Sequence, residues 1–464
     1  MRRVAVLGGG IAGLAATYEL LKGAAEESLP LEVHLVERED RLGGTILTER
    51  VDGFVIEGGP DCLLAEKPWA LELARELGLG GRIVPASEET QGTYILWRGR
   101  LHRLPEGFIL LAPTSLWPFV TSRLLSPLGK LRVALEPLIP RRRDGGDESL
   151  ADFVSRRLGR EVLERIAEPL VAGIHGGAPE VLSLKSTFPK FSELEAKYGS
   201  LIRGLREVMR RRRDQGMGTP FVSFRQGMAE LVEALEGAIG EGAQIHLSSS
   251  AQAVERRGRG FLVHTSTDTF EVEALVLATP SYVSARLLQP LKADLARLLE
   301  GIPYVSSVTL SLAFAEEEVG ELKGHGFVVP RREGLRLMAV TFSSRKFPGR
   351  APQGKVLLRA FVGGARDEEV VGLGDGEILE FVLGELEGVL GLKGEPLLWR
   401  LFRWPKALAQ YRVGHGKLMK EVEGKLRDTP GVFLAGGAYH GIGIGDCVRG
   451  GREAARRLLT FLRN

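Results

Sequence analysis

The sequence has 464 residues, nearly balanced charge (62 Lys and Arg against 59 Asp and Glu, formal net +3) and 44% hydrophobic residues, which predicts two or three domains with ample core and excludes a disordered or fibrous chain. Two cysteines, Cys62 and Cys447, cannot build a disulfide framework, and eight histidines lie scattered without ligand spacing, so a reducing compartment and no metal are expected. The Met-Arg-Arg-Val start enters a strand at once and leaves no room for a cleaved signal, and no apolar run reaches the ~18 residues of a spanning helix, so the expected location is the cytoplasm, in solution or peripheral on the inner face of the cell membrane.

The first element is the apolar strand Val4-Ala5-Val6-Leu7, followed by Gly8-Gly9-Gly10-Ile11-Ala12-Gly13 and an apolar helix. In such a unit Gly8 permits the tight turn, Gly10 lets a pyrophosphate approach the backbone, Gly13 lets the helix pack on the strand, and the helix N-terminus favours negative charge. The next strand, residues 31–36, ends at Glu37, placed to accept ribose hydroxyls. Strand, glycine turn, helix and closing carboxylate together predict a dinucleotide site. Arg38-Glu39-Asp40-Arg41-Leu42-Gly43-Gly44 then resembles the R-x-G-G extension of FAD enzymes, in which a second glycine pair brings backbone amides to the pyrophosphate.

Residues 52–60 read as a short strand ending in Gly58-Gly59-Pro60, a turn able to lie close to a flat ring. A helix over 67–77 and a hairpin over 92–101 follow. The proline-punctuated apolar stretch 108–139 reads either as ordinary helical core or as an interfacial membrane contact, since Trp117, Phe119 and flanking arginines suit a monotopic surface. The basic runs Arg141-Arg142-Arg143 and 210–213 are solvated surface or attract anionic lipid or substrate; no recognition motif accompanies them, so no nucleic-acid partner is expected. Asparagine occurs once, at Asn464, through either avoidance of heat-labile residues or genomic base composition.

Asp147-Glu148-Ser149 caps a helix, and residues 168–191 follow with Glu168-Pro169-Leu170-Val171-Ala172-Gly173-Ile174-His175-Gly176-Gly177. This segment, with Ser200-Leu201-Ile202-Arg203-Gly204, resembles the porphyrinogen oxidases of haem synthesis, flavoenzymes of the monoamine oxidase-like superfamily. The polar linker 214–220 leads to Phe221-Val222-Ser223-Phe224-Arg225-Gln226-Gly227-Met228, similar to that family's return to the nucleotide domain. Residues 250–255 form the strand whose Val254 backbone would meet adenine, and 270–280 a buried strand ending at Ala278-Thr279-Pro280. Residues 295–410 show alternating, strand-like runs that predict an antiparallel substrate sheet. Trp404 stands in a segment that in the family lies near flavin, and Gly436-Gly437 through Ile442-Gly443-Ile444 closes the site with backbone amides and a helix N-terminus.

The resemblance implies an α/β protein: a Rossmann-like FAD-binding domain (1–88, 221–292, 418–464), a helical, membrane-contacting or substrate domain (89–220) and a sheet domain for substrate (293–417). It implies non-covalent FAD held by Gly8, Gly9, Gly10, Ile11, Ala12, Gly13, Glu37, Arg38, Arg41, Gly43, Gly44, Gly58, Gly59, Pro60, Val254, Ala278, Trp404, Gly436, Ile442, Gly443 and Ile444. It places Gly173, Gly176, Val328, Thr341 and Phe361 around a porphyrinogen, although Gly173, Val328, Thr341 and Phe361 read equally as core residues, and it offers Arg98, Arg100 and Arg103 as rim charges, for which the reading as solvated hairpin residues is the stronger. The flavin performs the chemistry, so no catalytic side chain is expected, and oxygen is the acceptor. A membrane surface and a neighbouring haem-pathway enzyme are further partners it admits. Thr93 stands where some members carry a substrate-binding Arg. An amine oxidase, a carotenoid desaturase and a non-enzymatic prenyl-binding escort protein share the nucleotide motifs and stay open.

Overall fold

The structure is a computed structural model and describes residues 1–90, 92–105, 108–109, 112–113, 121–142, 145–214 and 219–464. Residues 110–111 and 114–120 of the apolar stretch at 108–139, Trp117 and Phe119 among them, Arg143 and most of the polar linker at 214–220 lie outside these residues. Two sheets organise the chain. Their strands are β1 (Arg2–Leu7), β2 (Leu31–Val36), β3 (Thr93–Trp97), β4 (Arg100–Arg103), β5 (Ala243–His246), β6 (Ala274–Leu277), β7 (Tyr304–Ala315), β8 (Gly326–Val328), β9 (Leu337–Phe342), β10 (Lys355–Gly363), β11 (Leu398–Ala409) and β12 (Val432–Leu434). The helices that matter for the site are α1 (Ile11–Glu26), α2 (Pro127–Ala134), α3 (Leu150–Leu158), α4 (Glu168–His175), α5 (Leu201–Asp214), α6 (Ala229–Ile239) and α7 (Ile444–Arg463).

The first sheet has five parallel strands in the order β5-β2-β1-β6-β12. Val4, Val6, Val33, Leu35, Ala274 and Val276 are all buried, as expected of parallel strands covered on both faces. Helix α1 packs against β1 because Gly13 has no side chain: a Cβ there would lie 1.8 Å from the Gly8 carbonyl oxygen. Its other side meets α7 at Gly451, where a Cβ would come within 2.2 Å of the Ala12 oxygen. Two glycines far apart in sequence therefore let three layers close on one another.

The second sheet runs β11-β7-β10-β9-β8-β3-β4 and is antiparallel except where β8 meets β3. It draws strands from both 93–103 and 304–409. The segment 270–280, expected as one strand, is two: residues 269–272 pair in a separate three-stranded sheet, and β6 enters the parallel sheet after Glu273, whose N–H donates to Arg3 O. Periodicity alone cannot divide a continuous apolar run between two sheets. Helices α3 to α5 form a third core, around Phe153, Val154, Ile166 and Leu201, that packs on Ile95, Val328 and Ala339 of the second sheet. Ser149 caps α3, its hydroxyl accepting from Asp152 N at 3.0 Å. Among the described residues no helix is long and apolar enough to cross a membrane.

Candidate functional site

The C-terminal ends of β1, β6 and β12 meet at one edge of the parallel sheet, the place where open α/β sheets bind ligands. Gly8 sits there at φ +110°, and a Cβ on it would lie 2.7 Å from the Ala278 oxygen. Gly10 is the N-cap of α1 and bridges to Gly43. A Cβ on Gly10 would meet nothing closer than Gly44 Cα at 4.0 Å, so the two glycine turns face one another across open space at a helix N-terminus, a cradle of the kind a pyrophosphate fills. Arg41 holds the second turn, donating to Gly44 O at 2.7 Å and to Leu42 O and Ile46 O at 3.1 Å. Arg38 is turned outward and pairs with Glu39. Glu37 is buried, and its two oxygens accept from Gly9 N at 2.7 Å and Glu39 N at 3.0 Å, which fixes the carboxylate at the end of β2. Val254 is buried with Leu7 and Val36 behind this end of the sheet.

The other end of the cradle is built by the turn after residues 54–57 and by the start of α7. The Gly58 carbonyl accepts from Thr309 Oγ1 at 2.8 Å, Trp404 Nε1 at 2.9 Å and Arg359 Nη2 at 3.0 Å. Gly59 lies on Thr45, where a Cβ would reach the carbonyl oxygen at 1.7 Å. Gly436, at φ +120°, faces open space with no atom within 4 Å of a Cβ position. Gly443 is the N-cap of α7, so a second helix N-terminus with Ile442 beside Gly437 closes the same region. Two helix N-termini, two facing glycine turns and a fixed carboxylate fit an adenine-dinucleotide flavin.

The second sheet turns one face toward the Gly58 turn. Cross-strand registers align Phe402, Thr309, Phe361, Ala339, Val328 and Ile95 in one row, and Arg359, Thr341, Gly326 and Thr93 in the neighbouring one. Helix α4 covers this face through Gly173, whose Cβ position is 3.6 Å from both Val328 Cγ1 and Ala339 Cβ. Gly176 ends α4 at φ +60° and lies against Gly364 and Leu408. Gly173, Val328 and Phe361 thus meet at one apolar contact between α4 and the sheet, with Thr341 in the neighbouring row. Arg98 does not join them: it sits at the exposed tip of the β3–β4 turn at φ +54°, with its backbone N–H donating to Glu333, because the hairpin carries it beyond Ile95 and out of the row. Arg100 is exposed on the same hairpin.

Several residues here were not anticipated from sequence. Lys67 pairs with the buried Asp446 in the first turn of α7. Tyr411 donates to Gly437 O at 2.7 Å and accepts from Gly441 N at 2.8 Å; burial raises its phenol above the usual range. Asp61 pairs with Lys346 at 2.8 Å; burial alone would raise its carboxyl, but the Lys346 and Arg359 charges outweigh this and hold it well below the carboxylate range. Arg359 interrupts the apolar run 356–362, and a lone charge in such a run is the one signal that could have flagged it. Among the described residues no group of three or more His, Cys, Asp or Glu is arranged to hold a metal ion.

A family model described as flavin containing amine oxidoreductase matches residues 11–459. Coproporphyrinogen III oxidase of Bacillus subtilis is 36% identical over 99% of this chain and 98% of its own. The chain belongs to the porphyrinogen oxidase branch of the flavin-containing amine oxidoreductases. Chloroplastic protoporphyrinogen oxidase 1 of Arabidopsis thaliana, 30% identical over 98% of this chain and 88% of its own, is a more distant member. A crystal structure of a candidate protoporphyrinogen oxidase from Exiguobacterium sp. 255-15 superposes with a TM-score of 0.88 at 32% identity, covering 100% of this chain and 99% of the other. FAD is the cofactor of this flavoprotein family, and the cradle described above accommodates it.

Proposed function

We propose that this flavoprotein oxidises a porphyrinogen, coproporphyrinogen and protoporphyrinogen alike, to the porphyrin, with molecular oxygen as final acceptor. Bound FAD supplies the electron-accepting chemistry. The chain supplies shape: the observation that carries the reading is the apolar row Phe361-Ala339-Val328 faced by a helix that presents glycine, Gly173, at the point of closest approach. A bulky, puckered macrocycle that flattens as it is oxidised needs an apolar face without protruding side chains, and a transfer of this kind depends on distance and orientation more than on an acid or base. The row offers no titratable side chain. Its apolar walls exclude water, and the Gly58 turn, fixed by three donors, holds the flavin end. An amine oxidase would need a C-terminal aromatic cage; here Tyr439 is buried in a core and Tyr411 is tied to Gly437 and Gly441, which favours the porphyrinogen reading. The test is side-by-side turnover of the two porphyrinogens, followed by porphyrin fluorescence. Both are expected to react; rejection of coproporphyrinogen would overturn the double specificity.

The surface of the helical region supports a peripheral membrane contact on the cytoplasmic side. Leu128, Leu131, Leu135 and Leu138, along α2 and the turn after it, are 79%, 56%, 43% and 75% exposed, a helical-period apolar stripe flanked in sequence by Arg123 and Lys130, while Arg132 is turned inward onto the Arg156 and Arg157 carbonyls. Leucines on one side with basic residues beside them suit an anionic bilayer surface. Co-sedimentation with anionic vesicles tests this, with Leu128→Ser/Leu138→Ser expected to stay in the supernatant.

A further inference from the structure

Arg359 lies in β10, is 3% exposed, and makes no hydrogen bond to a carboxylate. Behind it, Asp61 is answered by Lys346 at 2.8 Å and Glu57 by Arg350 at 3.4 Å, so the cluster carries one more cation than carboxylate. Both of its hydrogen bonds use Nη2, to the carbonyls of Gly58 and Gly59. Its guanidinium lies over the Phe361 ring at 4.7 Å, and its Nε has no partner. Asp61 and Glu57 offset its charge from behind without a hydrogen bond to it, and its own hydrogen bonds all go to the backbone of a single turn.

A peptide unit is planar and trans, so the Gly58 C=O and the Gly59 N–H point in opposite directions. The carbonyl is held against the sheet by Arg359, Thr309 and Trp404. The Gly59 N–H therefore points away from the sheet, and it finds no acceptor among the described residues. Donors aligned on a carbonyl polarise the whole unit, each step strengthening the next by about 10–30%. We infer that Arg359 is a positioning residue for the flavin: acting through the Gly58–Gly59 peptide, it directs a strengthened N–H and a buried positive charge at the cofactor ring and so raises the flavin's affinity for electrons. This rests on the reading that the Gly58 turn lies against the ring of bound FAD.

The experiment is the reduction potential of the bound flavin, by dye equilibration, in wild-type protein and in Arg359→Lys, Arg359→Gln, Arg359→Met and Thr309→Val. Arg359→Met is expected to shift the oxidised-to-reduced equilibrium at least tenfold toward the oxidised form, about 30 mV for a two-electron couple. Arg359→Lys keeps the charge and should stay within threefold; Thr309→Val removes a neutral donor to the same carbonyl and should shift less than Arg359→Met. Arg359→Gln retains a donor without the charge, and decides the matter alone if the Met variant does not hold flavin. An unchanged potential in a neutral variant that retains FAD overturns the inference and leaves the flavin assignment standing. A wild-type protein that takes up no FAD overturns the flavin reading and this inference with it.

Discussion

Glu136 and Arg157, both fully buried, pair with each other beneath the helical region. The same carboxylate accepts from Ser200 Oγ at 2.5 Å, Leu201 N at 2.9 Å and Ile202 N at 3.3 Å, so it also caps the first turn of α5, where N–H groups lack intrahelical partners. Arg157 further donates to Ile139 O at 2.8 Å and Gly199 O at 2.9 Å. Breaking a buried pair by removing one partner typically costs 3–5 kcal/mol, and here Glu195, 3.4 Å from Arg157, offsets part of the charge left behind. Glu136→Ala should therefore lower the thermal midpoint markedly while Glu136→Gln, which keeps an acceptor for the helix N–H groups, loses less; thermal melts followed by circular dichroism check the order.

The nucleotide end gives a sharper test. Gly13→Val would put a side chain into the Gly8 carbonyl, 1.8 Å from the Cβ position, and the expected product is colourless protein without flavin absorbance. Glu37→Ala removes the acceptor for ribose and also strands the buried Gly9 N–H, which donates to it at 2.7 Å. The loss should be about 2 kcal/mol, roughly thirtyfold in the Kd for FAD, measured by flavin fluorescence on reconstitution.

The nucleotide end was legible in the sequence because its parts are local: Gly8, Gly10, Gly13 and Glu37 belong to one strand-helix-strand unit, and each residue type has one physical reason to be there. Gly173, Val328, Thr341 and Phe361 were singled out by family resemblance; the structure places Gly173 and Phe361 beside Val328 and Ala339, and their part in holding a substrate belongs to the proposed function. What could not be read depends on long-range pairing. Trp404 reaches Gly58 across 346 residues, and Lys67 reaches Asp446 across 379; neither pattern leaves a periodic trace. Arg98 lies at the exposed tip of its hairpin, as a solvated hairpin residue does, and the register that sets Ile95 against Val328 left no trace in the sequence.

Cys447, which is buried, should be inert in the native protein, and Cys62, which is part-buried, should react slowly. Burial pushes the Cys62 and Cys447 thiols up to about 12, with Asp61 and Asp446 respectively adding to the effect. A thiol of that kind is almost wholly protonated at neutral pH and is a poor nucleophile. Thiol titration at pH 8 should thus be slow in native protein and fast in denaturant; rapid modification of either residue without unfolding would contradict the burial argument.

The last prediction separates shape from acid-base chemistry at the contact between α4 and the sheet. Burial, with Lys67 nearby, pushes the His175 imidazole down to about 4, so it is neutral at the pH of turnover and a poor proton donor. Its unfolded counterpart titrates near 6.5, so between about 6.5 and 4 the unfolded chain binds the extra proton and stability falls with pH. His175→Gln should flatten that acid limb, seen as a smaller drop in melting temperature from pH 7 to pH 5. His440 is exposed beside Glu423 at 3.6 Å, away from that contact. His175→Ala and His440→Ala should each keep activity within about tenfold, short of the ~10²–10⁴-fold that general acid-base help contributes. Gly173→Leu should behave in the opposite way: with Val328 and Ala339 already 3.6 Å from a Cβ, a leucine there crowds that contact, so the variant should retain its flavin and lose turnover. Flavin content and porphyrin fluorescence measured on all three distinguish the cases, and a histidine variant that binds FAD normally yet loses ~10³-fold in turnover would establish an acid-base role and end the shape-based mechanism.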